Sequence, residues 1–92
     1  MKNLQELNLR KNLISEVKEM SQLPALQRLY LSNNKVTSME NVSNMPNLSE
    51  ITLENNPVEK SENLLRTLKA QFPSLQYYNL QKVSLLISNL SV

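Results

Sequence analysis

The residues of this chain that could do chemistry are mainly asparagines and glutamates. Asn12, Asn34 and Asn56 recur at intervals of 22 residues, each after a short apolar segment. An asparagine amide offers both hydrogen-bond donors and an acceptor. These three residues can therefore satisfy backbone groups inside a turn, where an apolar side chain could not. Their spacing predicts structural hydrogen bonding.

Catalytic chemistry has few side chains to use. The 92 residues include no histidine, cysteine, aspartate or glycine, so acid–base chemistry would rest on the eight glutamates. The usual zinc ligands, a nucleophile with a histidine base and a glycine-rich phosphate loop are all missing. We therefore expect no enzyme, no metal site and no cofactor. The net charge of +2, with basic and acidic residues interleaved, makes nucleic-acid binding an unfavoured interpretation.

A repeated pattern positions the asparagines. The template Leu-x-x-Leu-x-Leu-x-x-Asn-x-(Ile/Val), with Ile51 replacing its second leucine in the third copy, begins at Leu4, Leu26 and Leu48, and a fourth start follows at Leu75. Apolar residues at period two predict a short strand with one buried face, and apolar residues at every third position afterwards predict 3₁₀ turns. A fixed period of this length is the signature of a leucine-rich repeat. The predicted fold is an α/β solenoid shaped as an open horseshoe, with short parallel strands on its concave face.

The pattern divides the chain into four repeats and a tail. The predicted repeats are 4–25, 26–47, 48–74 and a partial repeat with a cap at 75–83, and residues 84–92 form an apolar tail. The third repeat is longer, which makes room for one C-terminal helix beside the 3₁₀ turns on the convex face. Ser61 is its predicted N-cap, and Pro73 predicts its end at Phe72.

The end of the chain resembles the cap of a known family. Asn56-Pro57-Val58 precedes the predicted helix, and Phe72-Pro73-Ser74-Leu75-Gln76-Tyr77-Tyr78-Asn79 with Val83 follows it. This arrangement resembles the C-terminal end of cytoplasmic leucine-rich-repeat proteins of the 22-residue class. Asn79 stands where their cap motif usually has aspartate. The nearest resemblance is to the leucine-rich-repeat subunit of the tubulin polyglutamylase complex or to axonemal leucine-rich-repeat proteins.

The resemblance implies a function. We expect a non-catalytic protein–protein interaction module, as part of a larger scaffold or adaptor subunit in a cytoskeletal or ciliary complex. A spliceosomal A-prime-like or phosphatase-regulatory subunit is the alternative. The implied location is cytoplasmic, with a nuclear one left open, and the absence of cysteine agrees with a reducing compartment.

The expected partner is another protein, bound on the concave face. Polar residues that alternate with the core leucines would supply the contacts, and tyrosine and arginine are enriched at binding hot spots. The predicted contact residues are Glu6, Asn8, Arg10, Arg28, Tyr30, Glu50, Thr52, Glu54 and Tyr77. Alternation also places Ser32, Asn79 and Gln81 on this face and Tyr78 in the core. No membrane partner is expected, because no apolar run has membrane-spanning length.

The N-terminal side has no predicted polar cap. The strand from Gln5 to Lys11 would be an open edge, and Leu7, Leu9, Ile14 and Val17 would be exposed there. We expect that further repeats of a longer protein, or another chain, cover this edge. Self-association through the edge or through the apolar tail is a further expectation.

Overall fold

In the computed structural model of the protein, described for residues 3–17, 23–39 and 45–83, short strands build one sheet. The parallel strands are β1 (Glu6–Asn8), β2 (Arg28–Tyr30), β3 (Glu50–Thr52) and β4 (Tyr77–Tyr78), in sequential order. A further strand, β5 (Gln81–Lys82), pairs with β4 in the antiparallel direction. The leucine-rich-repeat fold with parallel strands is confirmed.

The strand register repeats the period of the sequence. Glu6 is aligned with Arg28, and Arg28 with Glu50, so equivalent residues 22 apart become neighbours. The third repeat is longer, and Glu50 is aligned with Tyr77. The boundaries assigned to the four repeats stay a prediction.

The core is formed by the inward leucines and their equivalents. Leu29 and Ile51, at the centres of β2 and β3, are fully buried, and Tyr78 is buried at the equivalent place in β4. Leu7 in β1 is half-buried, as are Leu9 and Ile14. Leu13, in the turn of the first repeat, is 83% exposed. Val17, expected at the exposed N-terminal side, is buried instead and packs in the core cluster.

The return legs are irregular in the described segments. Residues 13–17 and 35–39 contain no helix or strand, whereas Pro57–Lys60 forms a 3₁₀ helix. The 3₁₀ turns predicted around Met20 and Val42 fall outside the described residues, as does the tail 84–92. Among the described residues, no helix has the length and apolar character needed to cross a membrane.

Helix α1 (Leu64–Gln71) begins later than predicted. Ser61 ends the 3₁₀ helix, and its N–H donates to the carbonyl of Val58, so it is not the N-cap of α1. Asn63 holds that position without a side-chain capping bond, whereas the end of the helix at Phe72 agrees with the sequence. Leu64, Leu68 and Phe72 are buried in the core cluster, so α1 closes the third repeat through one apolar stripe.

Candidate protein-binding surface

Side chains that alternate with the buried strand residues form a surface that we call the polar face. Strand register brings the carboxylates of Glu6 and Glu50 to either side of Arg28. The Arg28 Nε lies 3.0 Å from Glu6 Oε1, and both side chains are about half exposed. The hydrogen bond to Glu6, together with its charge, raises the pKa of Arg28 above its usual value. An exposed pair of this kind contributes little to stability, so its effect is mainly to fix the Arg28 side chain.

Tyr30 is held at the centre of the polar face. Its hydroxyl donates to Glu50 Oε2 at 2.8 Å and approaches Glu6 Oε1 at 3.4 Å. The guanidinium carbon of Arg10 lies 4.3 Å from the centroid of the Tyr30 ring, within the range of a cation–π contact. Burial, followed by the hydrogen bond to Glu50, raises the pKa of Tyr30 to about 12. Tyr30 is therefore fixed by contacts to β1, to the turn after β1 and to β3.

The remaining contact residues differ in exposure. Asn8, Arg10 and Glu54 are exposed, and Tyr77 is half-buried. The Asn8 side chain turns along the edge of β1, where its Oδ1 accepts from the backbone N–H of Arg10 at 3.1 Å. The Asn8 side chain therefore satisfies the Arg10 N–H, which lies at the edge of β1 that no other described strand pairs with.

Thr52 and Ser32 do not lie on an exposed surface as expected. Thr52 is 1% exposed and Ser32 is 5% exposed, because both are small residues among longer side chains of the polar face. Thr52 is aligned with Tyr30 in the neighbouring strand, and Ser32 follows Tyr30 by two residues. Their hydroxyl oxygens have no hydrogen-bond partner among the described residues. As the structure stands, Thr52 is too buried to contact a partner directly.

The predicted alternation also fails after Tyr78. Asn79 and Leu80 have φ angles of 50° and 69°, and the chain reverses into β5. Two residues with positive φ are typical of a type I′ hairpin turn. As a result Lys82, which the sequence did not single out, is aligned with Tyr77, while Gln81 is aligned with the core residue Tyr78. The sequence lacks the glycine that usually signals such a turn.

Asn34 and Asn56 connect successive repeats beneath the strand ends. Asn34 Oδ1 accepts from the backbone N–H groups of Asn12 and Ile14, both at 3.1 Å. Its Nδ2 donates to the Leu9 carbonyl at 2.9 Å and to the Leu31 carbonyl at 2.8 Å.

Asn56 repeats this arrangement one repeat later, with bonds to Val36, Leu31 and Leu53. Asn12, by contrast, is exposed and donates to carbonyls of its own turn, Leu9 and Arg10. Asn34 and Asn56 therefore each connect two repeats, whereas the side chain of Asn12 donates only within its own repeat.

Asn79 makes a related contact that spacing did not reveal. Its Oδ1 accepts from the N–H of Leu53 at 2.8 Å, and its Nδ2 donates to Glu59 Oε2 at 3.2 Å. It stands 23 residues after Asn56, but the step of 27 residues from Glu50 to Tyr77 makes Asn79 the equivalent of Thr52 rather than of Asn34 and Asn56. The signal that could have found it is its place in the cap motif, where a side-chain acceptor is usual.

The arrangement on the polar face is suited to binding. The described residues contain no group of three or more histidine, cysteine, aspartate or glutamate side chains placed to hold a metal ion. Glu6 and Glu50 act as hydrogen-bond acceptors for Arg28 and Tyr30. Tyrosine and arginine are enriched at protein interfaces, and the polar face holds Tyr30 and Arg28 in fixed positions.

Comparisons with known proteins agree with the fold. The family model described as "Leucine Rich repeats (2 copies)" matches residues 2–44 and 24–66. No curated protein sequence matches the chain. A chain of the Chaetomium Mex67:Mtr2 subunits is similar, with 29% identity and a TM-score of 0.75 over 97% of this chain and 64% of that one.

Two further solved structures are similar. The Mex67 leucine-rich-repeat domain of Chaetomium thermophilum has 32% identity and a TM-score of 0.74, over 85% of this chain and 57% of that one. A chain of the Drosophila melanogaster SNF/U2A′ complex has 24% identity and a TM-score of 0.77, over 88% of this chain and 49% of that one, which shows the fold alone. The chain thus spans about half to two thirds of these structures. Because the family model covers residues 2–66, this chain belongs to the leucine-rich-repeat family.

Proposed function

We propose that this chain is a non-catalytic protein–protein interaction module, part of a larger scaffold or adaptor subunit, and that it binds its partner through the polar face. Leucine-rich-repeat domains are typically modules of this kind. The observation that carries the proposal is the fixed position of Tyr30, between Arg10 and Glu50. A side chain that is already ordered loses less conformational entropy on binding.

The similar structures support a protein partner. Two of them are structures of two-protein assemblies, Mex67:Mtr2 and SNF/U2A′. The family fold thus occurs in subunits that assemble with another protein. The roles of the individual polar-face residues rest on their geometry in this chain.

The size of the polar face supports a larger subunit. Four strands spaced about 4.8 Å apart and about 17 Å long present on the order of 300 Å². A standard interface buries roughly 800 Å² on each partner. Binding of ordinary strength would therefore use further surface of a longer protein, and the chain spans 64% or less of the similar structures.

A cytoplasmic cytoskeletal or ciliary complex is the proposed setting, on the resemblance of the cap motif to axonemal and polyglutamylase-complex subunits. A spliceosomal A-prime-like or phosphatase-regulatory subunit is the alternative. The spliceosomal setting differs from the cytoskeletal one in chemistry, because it would place the chain at an RNA. The affinity for RNA falls as the salt concentration rises, and the slope of log affinity against log salt reports the number of phosphates contacted.

Capture from cell extract with matched variants tests the proposal. The baits are the wild-type chain, the Tyr77→Ala variant and a double variant with Arg28→Ala and Tyr30→Ala. The control bait carries Glu62→Ala and Arg66→Ala, which alter exposed residues away from the polar face. Thermal melts accompany each bait, because the double variant loses the Glu6 and Glu50 contacts.

We expect the wild-type and control baits to retain a common set of proteins that both polar-face variants lose. Tubulin or axonemal proteins in that set would support the proposed setting, whereas spliceosomal proteins or a phosphatase would support the alternative. Binding of each recovered protein is then measured with purified components. Equal binding by all four folded baits would contradict a role for the polar face.

A further inference from the structure

The polar side of β3 and the turn after it carries two carboxylates on either side of a buried hydroxyl. Glu50, Thr52 and Glu54 alternate with Ile51 and Leu53, which are fully buried, so the three side chains lie on the polar face. Side chains two residues apart in a strand point to the same face. Tyr77 of β4 is aligned with Glu50 and lies next to this row.

The charged side chains of β1 and β2 on the polar face have partners within the chain, whereas Glu50 and Glu54 form no ion pair among the described residues. Arg28 is paired with Glu6, and Arg10 lies over the Tyr30 ring. Glu50 accepts a hydrogen bond from a neutral phenol, and the Glu54 carboxylate makes no hydrogen bond or ion pair among the described residues. Lys82 is aligned with Tyr77, but it forms no ion pair with Glu50. Neither carboxylate forms an ion pair in the described part of the chain, and Arg28, the cation aligned with Glu50 across the sheet, is already paired with Glu6.

The hydroxyl between the carboxylates is a second, independent feature. Thr52 Oγ1 is buried and has no hydrogen-bond partner among the described residues, and Thr52 is 1% exposed. A buried polar group without a partner is destabilising. A ligand that donates a hydrogen bond to this oxygen would remove that cost. Tyr30 is aligned with Thr52 across the sheet, and Glu50 stands two residues before it. The proposed ligand would therefore reach the hydroxyl by taking the Glu50 carboxylate from Tyr30.

The Tyr77 ring is the third feature. Among the described residues Tyr30 has a cation over its ring, and Tyr77 has none. An arginine side chain is planar, stacks on aromatic rings and carries five N–H donors. It can donate to a carboxylate and to a hydroxyl at once.

We propose that Glu50, Thr52, Glu54 and Tyr77 form a subsite for an arginine side chain of a partner segment. The guanidinium stacks on Tyr77, donates to Glu50 and Thr52, and is balanced further by Glu54. The subsite rests on the proposed function, since it assigns the chemistry of the partner that the polar face binds.

Short peptides of defined charge test the subsite on the 92-residue chain. The probes are acetyl-Gly-Arg-Gly-Arg-Gly-amide, its lysine counterpart and its glutamate counterpart. Amide chemical shifts at Ile51–Glu54 and at Tyr77 report binding, and those on α1 serve as the reference. We expect the arginine peptide to shift the first group, the lysine peptide to shift it less, and the glutamate peptide to leave it unchanged. No saturable shift with the arginine peptide, or equal shifts with the glutamate peptide, would overturn the proposal.

Near-isosteric variants then assign the interaction to the subsite. Glu50→Gln keeps an acceptor for Tyr30, Glu54→Gln removes a charge, and Thr52→Val removes the hydroxyl with little change of shape. Each should weaken the arginine peptide about fivefold, the effect of losing one modest polar contact. Glu62→Gln, an exposed carboxylate outside the polar face, is the matched control and should bind as the wild type does. Unchanged affinity in Glu50→Gln and Glu54→Gln would overturn the subsite.

The protein partners recovered in the capture experiment separate this inference from the proposed function. Loss of a partner with Tyr77→Ala, but full retention with Glu50→Gln and Glu54→Gln, would leave the polar face as the binding surface and refute the arginine subsite. Loss with both sets of variants, at unchanged melting temperature, would support both.

Discussion

At the scale of single residues, the buried asparagine Asn34 offers a sharp test of how the repeats are joined. We expect Asn34→Ala to lower the free energy of unfolding by about 2 to 3 kcal/mol or more, because it leaves buried N–H and C=O groups of two repeats without partners. Asn12→Ala should cost about 1 kcal/mol or less, since Asn12 is exposed and its acceptors reach water. Urea melts of both variants measure the difference.

A suitable control for this experiment is not Asn33, although it is exposed. Asn33 has a φ of 64°, and its equivalents Lys11 and Asn55 have 60° and 59°. Alanine is disfavoured in this region, so Asn33→Ala would cost about 1 kcal/mol for a reason unrelated to the buried bonds. Lys35→Ala, exposed and with negative φ, should change stability by about 0.5 kcal/mol or less. Equal losses in the Asn34 and Lys35 variants would contradict the structural role of Asn34.

Tyr30 makes the free energy of unfolding depend on pH in the alkaline range. Its pKa is about 12 in the folded protein and is raised from 10.0, so the folded state keeps the proton where the unfolded state loses it. This contribution is fully present below pH 10 and is lost as pH rises through 12. We expect the free energy of unfolding to fall between pH 10 and 12, and to fall less steeply in Tyr30→Phe.

Ultraviolet difference titration of the wild type against Tyr30→Phe measures the ionisation itself. The difference should titrate near pH 12, and Glu50→Gln should move it towards 10 because a cause of the shift is removed. Tyr78 also has a raised pKa, from burial first, so some dependence remains in the Tyr30 variant. A difference that titrates at pH 10 would mean that the Tyr30 hydroxyl is neither buried nor held by Glu50.

At the scale of elements, the hairpin of β4 and β5 contains an unfavourable residue. Leu80 has a φ of 69° and is 69% exposed, so it gains little from burial while adopting a backbone conformation that suits glycine. Asn-Gly is the preferred sequence for a two-residue hairpin with positive φ at both positions. We expect Leu80→Gly to raise the free energy of unfolding by about 1 kcal/mol. A chemical melt checks this, with Lys82→Gly, at an exposed strand position, as a control that should destabilise.

At the scale of the whole molecule, we expect self-association through the edge of β1 that no other described strand pairs with. In and around β1, the backbone groups of odd-numbered residues such as Gln5 and Leu9 bond to β2 or its flanks. The N–H of Asn8, an even-numbered residue, therefore points to the opposite, open edge. An unpaired edge can pair with another chain. We expect the apparent mass in sedimentation to rise with concentration from low to high micromolar.

Proline at position 8 should suppress that association. Asn8→Pro removes an edge donor while leaving the bonds to β2 intact, a place where proline is tolerated in sheets. Asn8→Ala is the control, since it keeps the backbone donor. Association that is equal in the two variants would exclude the β1 edge as its cause and would direct attention to the predicted apolar tail, which lies outside the described residues.

The sequence by itself determined the repeat period, the strand positions, the core leucines and the buried asparagines. These features depend on local alternation and on a fixed interval of 22 residues, which directly become strand register and neighbouring positions. Tyr78 could be assigned to the core for the same reason, because it occupies a repeated leucine position.

The tertiary structure decided which polar side chains are buried, where helix α1 begins and where the chain reverses. These features depend on neighbouring side chains and on how the third repeat closes. Thr52 and Ser32 are buried because longer side chains stand beside them, which alternation along one strand does not express. Helix α1 begins at Leu64 because Pro57–Lys60 first forms a 3₁₀ helix that takes Ser61 as its end. The reversal at Asn79 and Leu80 occurs without glycine, since pairing of β5 with β4 offsets the cost of two positive φ angles.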